Sequence, residues 1–252
     1  IVQCYGGCNG TATAFPSGGV APYSYVWNPS SITTQTATGL CAGSYTVTVT
    51  DQTLATATAT VVIAQPSALT LSFSTTTIPC NSGTGTIAAI ASGGTSPFTY
   101  FWTQVNSTIS TITNVTAGTY TCSVTDANNC TTTNTVTLGQ PSALTTTILP
   151  SNSGICETFP QTFNGSATTG GTPPYTFSWS LPGGSPSSAT TQNPTTTYFT
   201  AGTYTVTLNV QDAQGCTASN TTTITVSPNP VITVTSSPAV ICSGGSTTLT
   251  AS

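Results

Sequence analysis

The chain of 252 residues contains no lysine, no arginine and no histidine, and its acidic residues are Asp51, Asp126, Glu157 and Asp212 alone. Each absence closes a class of function. General acid/base catalysis needs a side chain that titrates near working pH, and no two of these carboxylates lie close in sequence. Serine and threonine nucleophiles are plentiful but have no base to activate them. Phosphate recognition rests on Lys or Arg, so the chain has no electrostatic means of holding nucleic acid, and an anionic membrane surface attracts it no better. No apolar run is long enough to span a bilayer. The nine cysteines include no C-x-x-C pair, which with the missing histidine argues against zinc and for disulfides in an oxidising, extracellular setting. The sequence therefore predicts no enzyme, no cofactor and no metal site.

What is present is repetition. Trp27, Trp102 and Trp179 recur at intervals of 75 and 77 residues, and the string QPSAL begins at Gln65 and again at Gln140. Such self-similarity sets the architecture. It divides the chain into modules over 1–66 (with its N-terminal strand incomplete), 67–141 and 142–228, and the start of a fourth over 229–252. Ile1 stands directly before the Cys4 landmark and Ser252 just after Cys242, so the chain reads as a segment of a longer array.

Each module carries an aromatic strand after a Gly-Gly turn and a proline: Tyr23, Tyr25, Trp27; then Phe98, Tyr100, Trp102; then Tyr175, Phe177, Trp179. The period of two puts each trio on one face, the core side. A second strand follows Ala-Gly-[Ser/Thr]-Tyr, where Tyr45, Tyr120 and Tyr204 lead alternations of apolar residues with threonine and match a tyrosine corner. With the flanking Thr-rich segments this predicts about seven strands a module, enough for a two-sheet immunoglobulin-like sandwich. Asp126 and Asp212 open late turns that they are expected to cap through backbone N–H groups; calcium ligation is the alternative, thinly supplied by one carboxylate a module. The third module is longer, 25 residues from Trp179 to Tyr204 against 18 in its siblings, and the excess over 181–194 reads as a surface connection.

These residues carry a resemblance. CYGGCNGTATAFPSGGVAPYSYVW, GLCAGSYTVTVTD and QPSAL resemble the SprB repeat found in tandem in surface adhesins of gliding bacteria. NPTTTYFTAGTYTVTLNVQDAQGC is similar to a PKD domain, and the segment from Pro228, with ICSGGSTTLTAS, to the opening of a bacterial immunoglobulin-like domain. The resemblance implies a secreted cell-surface protein, often exported by the type IX system, serving as adhesin or stalk. One departure matters: Trp179 is followed by Ser-Leu-Pro-Gly-Gly where PKD domains carry an acidic segment, so no role tied to those acids transfers.

Cys4, Cys80, Cys156 and Cys242 recur at intervals of 76, 76 and 86 and are assigned to the start of each module's second strand; Cys130 and Cys216 occupy late turns. Two pairings stay open. End-to-end stacking gives Cys4 with Cys130 and Cys80 with Cys216, leaving Cys156 and Cys242 for modules downstream; pairing within modules gives Cys80 with Cys130 and Cys156 with Cys216. Cys8 and Cys41 occur only in the first module and form a natural pair, while Cys122 reads as a buried thiol or a partner of Cys80. With short proline-bearing linkers, staples between modules predict a stiff linear rod.

Two functions remain: a structural fibre, stalk or self-assembling surface filament, or an adhesin module binding carbohydrate or another surface. Tyr5, Tyr198 and Phe199 are the aromatics read as free for the second. Self-association or other surface macromolecules are the expected partners, with covalent glycans at any of Asn9, Asn106, Asn114, Asn129, Asn164 and Asn220.

Overall fold

The computed structural model describes residues 1–151, 153–237 and 248–251, and among these every regular element is a β-strand. The chain forms two compact units, Ile1–Ile78 with Ser82–Gln140, and Pro79–Asn81 with the chain from Pro141 onward.

The first unit holds two sandwiches. In the first, β1 (Gly10–Thr13) pairs with β3 (Thr36–Leu40), facing a sheet of β2 (Ser24–Asn28), β4 (Gly43–Thr50) and β5 (Thr56–Ile63) in the order β2-β4-β5. In the second, β6 (Thr70–Thr75), β7 (Gly85–Ser92) and β9 (Thr111–Val115) face β8 (Thr99–Trp102), β10 (Gly118–Thr125) and β11 (Thr131–Leu138). All pairings here are antiparallel.

The second unit adds a larger sandwich. One sheet runs β12 (Ser153–Cys156), β19 (Thr217–Ser227), β18 (Gly202–Gln211), β14 (Thr176–Ser180), β16 (Ser188–Ala189); the other joins β13 (Pro160–Thr162) and β15 (Gly184–Ser185) to β17 (Thr195–Tyr198). Beyond it β20 (Val234–Ser237) pairs with β21 (Thr248–Ala251). The three sandwiches thus have five, six and eight strands rather than seven each. The segment 181–194 is not a bare surface connection: β15 pairs with β17, β16 pairs with Trp179, and Leu181 and Pro194 are buried. Its apolar ends fold inward and the rest extends both sheets.

Each core is built around its tryptophan. Trp27, Trp102 and Trp179 are at most 2% exposed, and each indole N–H donates at 3.0 Å to a carbonyl: Thr34, Ile109 and Thr191. The donor is thereby satisfied in an apolar setting that would otherwise penalise it. The tyrosine hydroxyls of Tyr45, Tyr120 and Tyr204 each donate to the carbonyl four residues back, Cys41, Thr116 and Thr200, at 3.2, 2.8 and 2.8 Å.

Outward faces are joined by hydroxyls instead of charges. Thr46 meets Thr60 at 3.0 Å, Thr119 meets Thr137 at 3.1 Å and Ser123 meets Thr133 at 2.8 Å, all across neighbouring strands. Cross-strand pairs of this kind contribute a few tenths of a kcal/mol and help fix register.

The late turn of each sandwich needs a left-handed residue: Asn129 at φ 62° and Gly215 at φ 85°, but Leu54 at φ 67° in the first. Leucine pays a steric cost there that glycine does not. Leu54→Gly is expected to stabilise the first sandwich by about 1 kcal/mol in chemical denaturation, less the entropy glycine adds to the unfolded chain. Equal or lower stability would show that the turn is unstrained.

Candidate functional site

The recurring phrases of the sequence meet at the ends of the sandwiches, and the site they build is a junction. Its centre is the late-turn aspartate. Asp126 Oδ1 accepts the backbone N–H groups of Asn128 and Cys130, both at 2.9 Å, and its Oδ2 accepts that of Thr95 at 2.9 Å. Asp212 repeats the set with Gln214, Cys216 and Thr172, and Asp51 with Thr53, Ala55 and Val20. These N–H dipoles already neutralise each carboxylate, and they are donors where a cation would need acceptors. Among the described residues no group of three or more Cys, Asp or Glu side chains is placed to hold a metal.

Thr95 and Thr172 follow the Gly-Gly turns, which are glycine for a steric reason. Gly93 has φ 74° and a Cβ there would strike the Ala68 carbonyl; Gly170, at φ 76°, stands in the same relation to Ala143. The next glycine donates its N–H to the linker, Gly94 to Ser67 O and Gly171 to Ser142 O, both at 2.9 Å. The Ser-Ala of QPSAL is therefore docked on the following module's Gly-Gly turn. The glutamine of the same string reaches the module before: Gln65 Oε1 accepts Gly6 N–H at 2.8 Å, and Gln140 Oε1 accepts Ser82 N–H at 2.9 Å.

The cysteines occupy the same ends. Cys4 is bonded to Cys130, with Cα atoms 5.7 Å apart, and Cys80 to Cys216, at 5.6 Å. Beside the first bond Asn128 Nδ2 donates to Gln3 O at 2.9 Å; in the second unit Asn81 Nδ2 donates to Pro141 O at 3.1 Å. Cys8 is bonded to Cys41 within the first sandwich. Cys122 is a buried free thiol in the second core, its pKa raised by burial, and Cys156 is exposed and free. Cys242 lies outside the described residues. The repeating cysteines do not open second strands: Cys4 and Cys80 sit in turns ahead of β1 and β7, and Cys156 ends β12.

The remaining assigned residues are dispersed. Asn9, Asn106, Asn114, Asn129 and Asn164 are exposed and Asn220 is half-buried; Asn106, Asn114 and Asn129 hold left-handed turn positions at φ 47°, 56° and 62°. Tyr5 and Phe199 are exposed, but Tyr198 is fully buried, because β17 turns it inward against Tyr204 with ring centroids 4.9 Å apart. Phe15 and Phe159 are exposed aromatics that period-two reading did not single out.

The PKD domain family model matches residues 146–226 and the SprB repeat model matches residues 2–31. The third module thus matches the PKD domain over most of its length, and the first opens on a match to the SprB repeat. Among solved structures the chain is similar to the eight N-terminal immunoglobulin domains of Down Syndrome Cell Adhesion Molecule isoform 1.30.30, with 14% identity, TM-score 0.41, and coverage of 88% of this chain and 35% of that one. It is also similar to domains 1–6 of surface layer protein SbsC, with 12% identity, TM-score 0.35, and coverage of 92% and 43%. The chain thus spans less than half of either. No curated protein matches it.

The three sandwiches share one acid response. For Asp51 the Val20 N–H, then the Thr53 hydroxyl, hold the carboxyl below its ordinary 3.8. For Asp126 and Asp212 burial pushes upward, but the N–H groups of Cys130, Thr95 and Asn128, and of Thr172, Cys216, Gln214 and Gly215, outweigh it and leave both pKa values lowered. A depressed folded-state pKa contributes stability that is present above the unfolded value and lost as pH falls through the folded one. Stability to thermal denaturation is expected to fall progressively below about pH 4. Asp212→Asn should lower the PKD transition at neutral pH and flatten its acid dependence; an acid limb unchanged in the variant would remove the aspartate from this role.

Proposed function

We propose that the chain is a tension-resisting repeat segment of an extracellular bacterial fibre or stalk, exported to the cell surface and able to self-associate. One observation carries this reading: the staples are staggered. Cys4–Cys130 and Cys80–Cys216 close loops of 126 and 136 residues that overlap, so tension between Cys4 and Cys216 bypasses residues 5–79 and 131–215 and runs only through the stretch from 80 to 130. Support also comes from the family likenesses, the disulfide chemistry and the uncharged hydroxyl surface, on which lateral association costs little electrostatic energy. Among the described residues no helix is long and apolar enough to cross a membrane.

A second reading, an adhesin module, rests on Phe159 and Phe199, both 62% exposed and adjoining where Thr158 N–H donates to Tyr198 O at 2.7 Å. A glycan array showing hits that Phe159→Ala abolishes would favour it. Glycans on the asparagines or hydroxyls would keep so uncharged a surface soluble, and an intact mass above 25.3 kDa is the expected sign of them.

The mechanical claim follows from connectivity. The covalent path from Cys4 to Cys216 runs through the first bond, back along about 50 residues from Cys130 to Cys80, and through the second, about 170 Å when taut. Reduced, the same two points are separated by about 210 residues, or about 700 Å. Single-molecule stretching between tags at these positions should give the short limit when oxidised and the long one in reductant. A long extension under oxidising conditions would defeat the tension-resisting role.

A further inference from the structure

The outward faces of the three sandwiches repeat one pattern that neither the junctions nor the staples use. In each, two long neighbouring strands pair hydroxyl with hydroxyl at alternate positions. Between β4 and β5 the rungs are Thr46 with Thr60, Thr48 with Thr58 and Thr50 with Thr56. Positions 119, 121, 123 and 125 of β10 meet 137, 135, 133 and 131 of β11, and all are threonine except Ser123. Positions 203, 205 and 207 of β18 meet 225, 223 and 221 of β19, and all are threonine. The intervening Val47, Val124 and Val206 are buried, so the rungs stand on the solvent side of their sheets.

These ladders are held in shape. Threonine is β-branched and stiff at χ1, and hydroxyl contacts at 3.0 Å in Thr46–Thr60, 3.1 Å in Thr119–Thr137 and 2.8 Å in Ser123–Thr133 restrict it further. Hydroxyls and methyls are therefore presented at fixed repeats, about 4.8 Å across the strands and about 6.8 Å along them. Twist turns neighbouring strands by roughly 20–25°, which limits the flat unit to the ladder of a single strand pair. Each sandwich supplies one.

The chemistry of these faces selects what can lie on them. They carry no charge, so an ionic ligand has nothing to hold it. Protein partners are anchored mainly by aromatic and arginine side chains, and sugar rings stack on aromatic ones; the faces have one aromatic, Phe101, paired with Ser123 at the edge of the second. A regular field of hydroxyls and methyls fits water that is itself regular. The two repeats lie within about a tenth of the oxygen repeats on the prism faces of hexagonal ice. The hydroxyls can take lattice positions as both donors and acceptors, and the methyls fill the hollows between them. Liquid water has no repeat and gains nothing from the match.

We propose that the threonine ladders bind the prism faces of ice and slow their growth. This activity goes beyond the fibre reading and does not depend on it, because the ladders are complete on a single chain. Ice can advance past adsorbed chains only by bulging between them, and the curvature of each bulge lowers its local freezing point. The low charge of the chain serves the same end, since a charged side chain orients water around itself rather than in the lattice.

The test uses the intact oxidised chain in two measurements, the shape and growth of single ice crystals just below the melting point and the coarsening of polycrystalline ice. Faceted crystals and arrested coarsening are expected of the wild type. A face variant with Thr58→Lys, Thr133→Lys and Thr221→Lys places one charge on each ladder and should raise the concentration needed to arrest coarsening by about tenfold or more. A matched variant with Thr38→Lys, Thr113→Lys and Thr195→Lys puts the same charge on exposed positions of the opposite sheets and should behave as wild type. Serine at the three face positions keeps the hydroxyls, removes the methyls and leaves the strands intact, so it should lose part of the activity with an unchanged thermal transition. Ice that grows with the wild type as it does in buffer would overturn the proposal. Activity that survives both sets of face substitutions, or that the opposite-sheet variant loses as fully, would overturn the ladders as the binding surface.

Discussion

The constraint on which this structure depends is the pair of overlapping disulfides, because the cores they join are small. Each sandwich buries one tryptophan and seven to ten neighbours, a size at which burial barely exceeds conformational entropy. Loops of 126 and 136 residues are long enough that cross-linking removes about 5 kcal/mol of denatured-state freedom each on chain-entropy reasoning, though overlapping loops do not add fully. The aspartate turn sets the geometry for this: it holds Cys130 and Cys216 by their own N–H groups, so the carboxylate that caps the turn also aims the sulfur.

The absence of cations leaves polar bonding to neutral groups and to carboxylates held by backbone N–H groups. Where an ordinary surface would use ion pairs, this one has threonine rungs, and where a linker would be held by charge, QPSAL is held by a glutamine on one side and a Gly-Gly turn on the other. The bonds are short, local and insensitive to salt. Acid is the exception, since all four carboxylates accept backbone N–H groups, Glu157 from Ala201 at 2.7 Å.

Much of this was legible in the sequence, and the reasons are particular. Trp27, Trp102 and Trp179 stood on strands of period two, and period two is a direct statement about faces. The Tyr-containing strands were visible for the same reason. Tyr198 was misread because it adjoins Phe199 in a segment with no clear alternation, and a single inward turn decides which of two neighbouring aromatics is buried. The strands within 181–194 were hidden by proline and serine, whose composition signals loop even where backbone pairing exists. The contacts of Gln65, Asn81 and Asn128 were beyond sequence reading, since repetition marks Gln65 as fixed without saying what it touches, and Asn81 and Asn128 do not repeat at all.

Cysteine connectivity tests the account most directly. Unreduced protein cut with chymotrypsin, trypsin having no site here, should release peptides joining Cys4 to Cys130 and Cys80 to Cys216, which separate only on reduction. A peptide joining Cys80 to Cys130 would contradict the staggered arrangement and with it the mechanical role.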